Sequence, residues 1–175
     1  MRYNWSSLVT TECRVIKIRN NTVYPIFRNG STSLFMDADT VYTNHEIAGC
    51  SEIKILWRRP EDRFVSGLNE YCRQNNLEVS ETWKKVKEGS LTDSHFAPQY
   101  FWILNLYRFY KETVTLVPFD QIGTLTNKRA RSIDEIIPVT VIEEYVSVDK
   151  IISKDLMGKS VKIKHIVERY KNELS

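Results

Sequence analysis

No run of roughly eighteen apolar residues, the length a membrane-crossing helix needs, occurs in this chain. Its first thirty residues also lack the basic stretch and apolar core of a secretion signal. Cysteine is scarce: Cys13, Cys50 and Cys72 are odd in number and show no Cys-x-x-Cys spacing, which argues against both a disulfide framework and a zinc site. A soluble, cytoplasmic protein in a reducing compartment is expected, with no membrane partner and no metal. Charge of one sign is lacking too. Against 25 Lys and Arg stand 22 Asp and Glu, a net +3 that does not by itself call for nucleic acid. With 6 glycines and 5 prolines there is no low-complexity segment or linker, and no internal repeat is found. The phosphate-binding signature Gly-x-x-x-x-Gly-Lys-Ser/Thr is missing, and no Mg²⁺-binding carboxylate follows a strand, so a nucleotide kinase is a weak reading.

The 175 residues, 42% of them hydrophobic, suffice for one sizeable core, and residues 1–175 read as a single domain. The chain is organised around residues 22–34, Thr-Val-Tyr-Pro-Ile-Phe-Arg-Asn-Gly-Ser-Thr-Ser-Leu. Val23, Ile26 and Phe27 suit a buried strand. Asn29-Gly30 is turn chemistry, because both residues tolerate positive φ, and Ser31, Thr32 or Ser33 can cap a helix begun by Leu34. Backbone N–H groups, hydroxyls and the Arg28 guanidinium at such a turn are what an anionic phosphate or sulfate needs.

A second stretch repeats the plan. Residues 53–71 run from the apolar Ile53-Lys-Ile-Leu-Trp57 through Arg58-Arg59-Pro60 into a helix whose Phe64, Val65, Leu68, Tyr71 and Cys72 share one face. Together, Phe27-Arg-Asn-Gly-Ser-Thr-Ser-Leu34 and Leu56-Trp-Arg-Arg-Pro-Glu-Asp-Arg-Phe-Val-Ser66 resemble the two cofactor motifs of sulfotransferases that use 3′-phosphoadenosine 5′-phosphosulfate (PAPS), most closely the carbohydrate, Golgi-type branch. The resemblance implies an α/β, P-loop-NTPase-like three-layer fold with a mainly parallel central sheet flanked by helices. It implies that Arg28, Asn29, Gly30, Ser31, Thr32 and Ser33 hold the 5′-phosphosulfate while Arg58 and Ser66 hold the 3′-phosphate, with 3′-phosphoadenosine 5′-phosphate (PAP) as product and no metal. Two residues depart from the family pattern: Arg28 replaces the usual Lys, changing a point charge into a planar fork, and Arg59 replaces the usual Asp.

The family's general base often lies between the two motifs, and His45 and Glu46 fall in that interval; a surface histidine is the equal alternative. Asp93-Ser-His-Phe-Ala-Pro-Gln99 resembles a family segment near the acceptor, making His95 either a loop-orienting residue or a rival base. Asn127-Lys128, opening the basic Asn127–Arg131 stretch, resembles a late loop over the 3′-phosphate, with a solvated charge run as the alternative. Residues 100–110 are apolar almost all round and predict a buried helix entered at Pro98. Residues 112–119 read as a strand, while 80–89, 147–156 and 160–174 read as helices. The expected activity is sulfuryl transfer to a hydroxyl of a carbohydrate or small molecule; the alternative is a non-catalytic module binding a nucleotide or glycan. Oligomeric state leaves no trace in the sequence.

Overall fold

The computed structural model describes residues 13–127 and 136–174. Strands β1 (Ile16–Ile18) and β2 (Asn21–Val23) form an antiparallel hairpin. Arg19 and Asn20 make its turn with positive φ at both, 46° and 62°, the conformation whose twist suits a two-residue hairpin. The chain continues through α1 (Ser31–Asp37), β3 (Thr40–Val41), α2 (Asn44–Ala48), β4 (Glu52–Trp57), α3 (Pro60–Asn75), α4 (Val79–Glu88) and α5 (Gln99–Tyr107). It ends with β5 (Thr113–Pro118), α6 (Ser147–Leu156), β6 (Ser160–Lys162) and α7 (Ile163–Tyr170). Short 3-10 turns follow β5 at Phe119–Thr124 and precede α6 at Glu143–Tyr145.

The class is α/β with an open mixed sheet, ordered β3-β1-β2-β4-β5-β6. A mainly parallel sheet is expected from the sequence, but parallel pairing is confined to the centre, where β2, β4 and β5 run together. The outer pairings, β1 with β2, β1 with β3 and β5 with β6, are antiparallel. Residues 160–174, expected as one helix, first form β6. The edge of β5 carries backbone groups that need partners, and β-branched Val161 suits a strand. The helix starts only at Ile163.

Side chains alternate across the sheet. Ile53, Ile55 and Trp57 join Tyr24, Ile26, Tyr100 and Ile103 in the largest buried cluster, which α5 and α7 cover. Leu56 faces the other way, with Ile16, Val23, Leu34 of α1 and Ile122. The apolar α5 predicted from residues 100–110 is buried at Tyr100, Ile103 and Leu106, and each such side chain contributes about 1.5–3 kcal/mol. A third cluster joins Phe64, Leu68 and Cys72 of α3 to Val86 of α4, Phe96 and Tyr145.

Strand order determines where a ligand can bind. From β2 the chain passes through α1 to β3, on one side of the sheet; from β4 it passes through α3, α4 and α5 to β5, on the other. Neighbouring parallel strands with connections that diverge leave a crevice beyond their carboxyl ends. Arg28 follows β2 there, and Arg58 follows β4.

Candidate functional site

The first loop continues β2, with the Tyr24 amide donating to the Lys54 carbonyl at 2.9 Å, and turns where the Asn29 amide donates to the Ile26 carbonyl at 3.0 Å. The residues with positive φ are Arg28 (70°) and Gly30 (80°), rather than the Asn29-Gly30 pair. Glycine suits position 30 because its left-handed φ strains any residue with a Cβ, and such a Cβ would also lie 2.2 Å from Ile122 Cδ1. Gly30 is itself the N-cap of α1, and no side chain caps the helix, so the expected cap from Ser31, Thr32 or Ser33 is not formed. The left-handed glycine already turns the chain into the helix, and its carbonyl accepts from the Leu34 amide at 3.0 Å. Ser33 is buried and Thr32 exposed. Asn29 is fully buried, its Nδ2 donating to the Leu56 carbonyl (2.9 Å) and to Gln99 Oε1 (2.6 Å). Its side-chain nitrogen therefore ties the loop to β4 and α5.

The two motifs touch through their cofactor-type residues. Arg28 Nε donates to Ser66 Oγ at 2.9 Å, and Arg28 Nη1 stands 3.7 Å from Glu70 Oε2. Hydrogen bonding from Arg73, helped by the charge of Arg28, holds the Glu70 carboxyl down at about 2, so it is ionised at ordinary pH. Arg58 Nη1 donates to the Arg28 carbonyl at 2.8 Å, and its guanidinium lies 5.0 Å from the centre of the Phe119 ring. Gln99 clamps Arg58 from behind: its Oε1 accepts from the Arg58 amide (3.1 Å) and its Nε2 donates to the Arg58 carbonyl (2.9 Å). Arg59 points outward to Glu61 and Asp62 at 3.1 and 3.0 Å, so this departure from the family pattern lies on the exposed surface.

Two residues that sequence reasoning passed over hold the site together. Arg63 is buried and donates to the carbonyls of Phe27 (3.0 Å), Ser94 (3.1 Å) and Ala97. Burial pulls its guanidinium down to about 10, against the opposing pull of Asp149, while Arg58 and Arg28 add to the lowering. Buried Asp149, from α6, accepts from the amides of Gln99 (2.7 Å) and Tyr100 (3.0 Å) and so caps α5 from outside the helix. Burial pushes its carboxyl up to about 6, despite these bonds and the charge of Arg63. A signal for Arg63 existed: Arg63, Ser66, Gly67 and Glu70 follow helical spacing and share one face.

The candidate bases separate. His95 has its Nδ1 2.5 Å from Asp93 Oδ1, which also accepts from the His95 amide at 2.8 Å. With Nδ1–H donating to the carboxylate, Nε2 carries the basic lone pair. The His95 ring centre is 5.3 Å from that of Phe27, the residue before Arg28. The loop bearing it rests directly on α3 at Gly67, where a Cβ would meet the His95 carbonyl oxygen at 2.0 Å. His45, by contrast, is exposed on α2, and among the described residues it is joined to none of Arg28, Arg58, Ser66 or His95. Glu46 beside it closes a capping box with Thr43, its Oε1 accepting from the Thr43 amide at 3.0 Å. Asn127 binds Arg19 through Oδ1 (2.9 Å) and Asp37 through its amide (3.0 Å), which places it against the far end of α1. Lys128 lies outside the described residues.

Two hollows border the network. A cleft of about 510 Å³ is lined by Trp57, Arg58, Arg59, Phe119, Asp120 and Met157. A smaller pocket of about 200 Å³ lies against Phe27, with Ser94 and Ala97, on either side of His95-Phe96, in its wall. Among the described residues no group of His, Cys, Asp and Glu is arranged to hold a metal ion, and no helix is long and apolar enough to cross a membrane. Comparison of the chain with protein families, curated proteins and solved structures found no match.

Proposed function

We propose that the chain is a PAPS-dependent sulfotransferase with a P-loop-like arrangement of its central strands. The observation that carries this reading is the meeting of the two motif loops beyond the carboxyl ends of β2 and β4, with Arg28 bonded to Ser66 and Arg58 bonded to the Arg28 backbone. The residues present fit an anionic nucleotide. Ser66 Oγ accepts from Arg28 Nε, which leaves its own hydrogen to donate to a phosphate oxygen. Arg28 and Arg58 stand at the junction of the two loops, and the 510 Å³ cleft beside Arg58, lined by Arg58 and Arg59 as well as Asp62 and Asp120, falls in the size range of nucleotide and cofactor pockets, roughly 300–1,000 Å³. Arg58 and Ser66 would hold the 3′-phosphate, and Arg28 with the 29–33 backbone the 5′-phosphosulfate. When bound, the cofactor supplies the sulfuryl group and the leaving phosphate.

The protein's own part is to position the reactants and to stabilise charge on the leaving oxygen. Arg28 stays protonated throughout, so its contribution is electrostatic, not proton donation. Of the candidate bases, His95 with Asp93 has the supporting geometry: the carboxylate orients the ring and stabilises the imidazolium that forms. A second reading, a nucleotide-binding module without turnover, is favoured by one feature: Arg28 is engaged by both Ser66 and Glu70.

The test is transfer of radiolabelled sulfate from PAPS to a panel of hydroxylated acceptors. Labelled product that vanishes in Ser66→Ala supports transfer. A protein that binds PAP and transfers to nothing on a broad panel is the binding module.

A further inference from the structure

We propose that the 200 Å³ pocket beside Phe27 takes an aryl alcohol, a single phenol-type ring, and that this is the acceptor, so that of the two acceptor classes expected from the sequence, a carbohydrate or a small molecule, the second is the substrate. The inference rests on the sulfotransferase reading for the word acceptor, and on the pocket alone for the ligand class.

The wall carries five aromatic side chains, Tyr24, Phe27, Phe35, Phe101 and Trp102. Their rings are set for tilted contacts: Phe27 and Trp102 have centroids 4.9 Å apart at 59°, and Tyr24 and Trp102 lie 6.3 Å apart at the same angle. A planar ring entering such a frame meets the edge-to-face and offset geometry that aromatic groups prefer. Size points the same way, since about 200 Å³ is below the roughly 300–1,000 Å³ usual for drug-sized ligands and leaves room for one ring with small substituents.

Polar chemistry excludes the sugar. Apart from the aromatic residues, polar side chains in the wall come from Arg14, Ser94 and Asn105. The Tyr24 hydroxyl donates to the Trp102 carbonyl at 2.9 Å, and the Arg14 guanidinium sits 6.0 Å from the Phe35 ring centre. A pyranose brings a hydroxyl on nearly every carbon, and each one buried without a partner costs binding. A phenol brings a single hydroxyl.

The pocket adjoins both the first motif loop and the His95 loop, and the Phe27 ring in its wall lies 5.3 Å from that of His95. Phe27 forms part of its wall and precedes Arg28, while Ser94 and Ala97 flank the His95 loop. In the reaction, His95 Nε2 takes the hydroxyl proton of the acceptor, whose oxygen forms a bond to sulfur. The bond from sulfur to the 5′-phosphate oxygen breaks, and its electron pair stays on PAP. The products are an aryl sulfate, PAP and a proton that His95 returns to water.

The experiment titrates the protein with phenol and 4-methylphenol beside methyl glucoside and methyl N-acetylglucosaminide, following tryptophan fluorescence and calorimetric heat, with and without PAP. The proposal expects saturable aryl alcohol binding, at least tenfold weaker in Trp102→Ala and in Phe101→Ala, with PAP affinity unchanged in both. Two variants guard against one failing to fold, and circular dichroism of each confirms the fold. Preference for the glycosides, or aryl binding indifferent to both substitutions, overturns the proposal. Aryl binding without labelled transfer from PAPS upholds the pocket's ligand class and takes down the transferase reading. Glycoside transfer without aryl binding does the reverse.

Discussion

Arg63→Met tests whether the buried arginine is the tie that holds the site. In the parent its guanidinium donates to three carbonyls, of Phe27, Ser94 and Ala97, so it joins α3 to the first motif loop and to the His95 loop. Methionine keeps much of the aliphatic stem and removes every donor. Hydrogen bonds to charged groups contribute roughly 1.5–3 kcal/mol each, though not additively. Asp149 would also lose a nearby cation whose charge offsets part of its burial. We therefore expect a loss of about 3–5 kcal/mol from a total of order 5–15 kcal/mol. Urea unfolding followed by tryptophan fluorescence measures it. Hydrogen exchange adds a local readout, since the amides of residues 93–97 should lose protection before the global transition. Adding Asp149→Asn removes the stranded charge, so the double variant should recover part of the loss, with a coupling of about 0.5–3 kcal/mol. An Arg63→Met protein within about 1 kcal/mol of the parent, with residues 93–97 still protected, refutes the tie.

Gly67→Ala should cost roughly 1–3 kcal/mol and lower turnover more than cofactor affinity, because the new Cβ drives into the backbone that carries His95; a parent-like melting temperature and kcat contradict this. Asp149 gives a pH signature. Its folded-state pKa, about 6, lies above the unfolded carboxylate value near 3.9, so the native state holds this proton more tightly and stability falls as pH rises from about 4 to 6. Relative to Asp149→Asn, the parent should lose roughly 2–3 kcal/mol across that window in urea titrations at several pH values, and a pH-independent difference would rule the group out. Arg28→Ala should cut sulfuryl transfer by about 10²-fold, as for a lost oxyanion-type donor, whereas Arg28→Lys retains substantial activity. Because Arg28 sits at φ 70°, Arg28→Gly should be more stable than Arg28→Ala by about 1 kcal/mol, and equal stabilities would show no strain there.

What could be seen in the sequence was local. The all-round apolarity of residues 100–110 meant a buried helix, Pro98 marked its entry, and Asn29-Gly30 marked the turn beyond β2. The misreadings arose where distant contacts decide. Residues 160–162 have no strong strand signal of their own and pair because β5 presents an open edge. Three hydroxyl residues after Gly30 looked like caps, yet the N-cap position falls on Gly30 itself and no side-chain cap bond forms. Asn29 looked like a ligand-facing turn residue, and its side chain is used by Leu56 and Gln99, 27 and 70 positions away. Gln99 and Asp149 could not be foreseen for the same reason: they meet across 50 positions, and no local pattern encodes that bond. His45 and His95 were both candidate bases in the sequence, and the structure separates them by the exposure of His45 on α2 and the Asp93 carboxylate against His95 Nδ1.

The central claim, that the meeting of Arg28, Arg58 and Ser66 is a site for a nucleotide with a 3′-phosphate, is tested most directly by calorimetric titration of the parent and Arg58→Ala with PAP and ATP. Circular dichroism of the variant should match the parent. The account predicts that the parent prefers PAP, and that Arg58→Ala loses roughly 1.5–3 kcal/mol of PAP affinity, the range for a charge-assisted contact. Adenosine 5′-phosphosulfate, which lacks the 3′-phosphate, should bind parent and variant about equally. A parent that prefers ATP, or an Arg58→Ala variant that binds PAP as tightly as the parent, contradicts it.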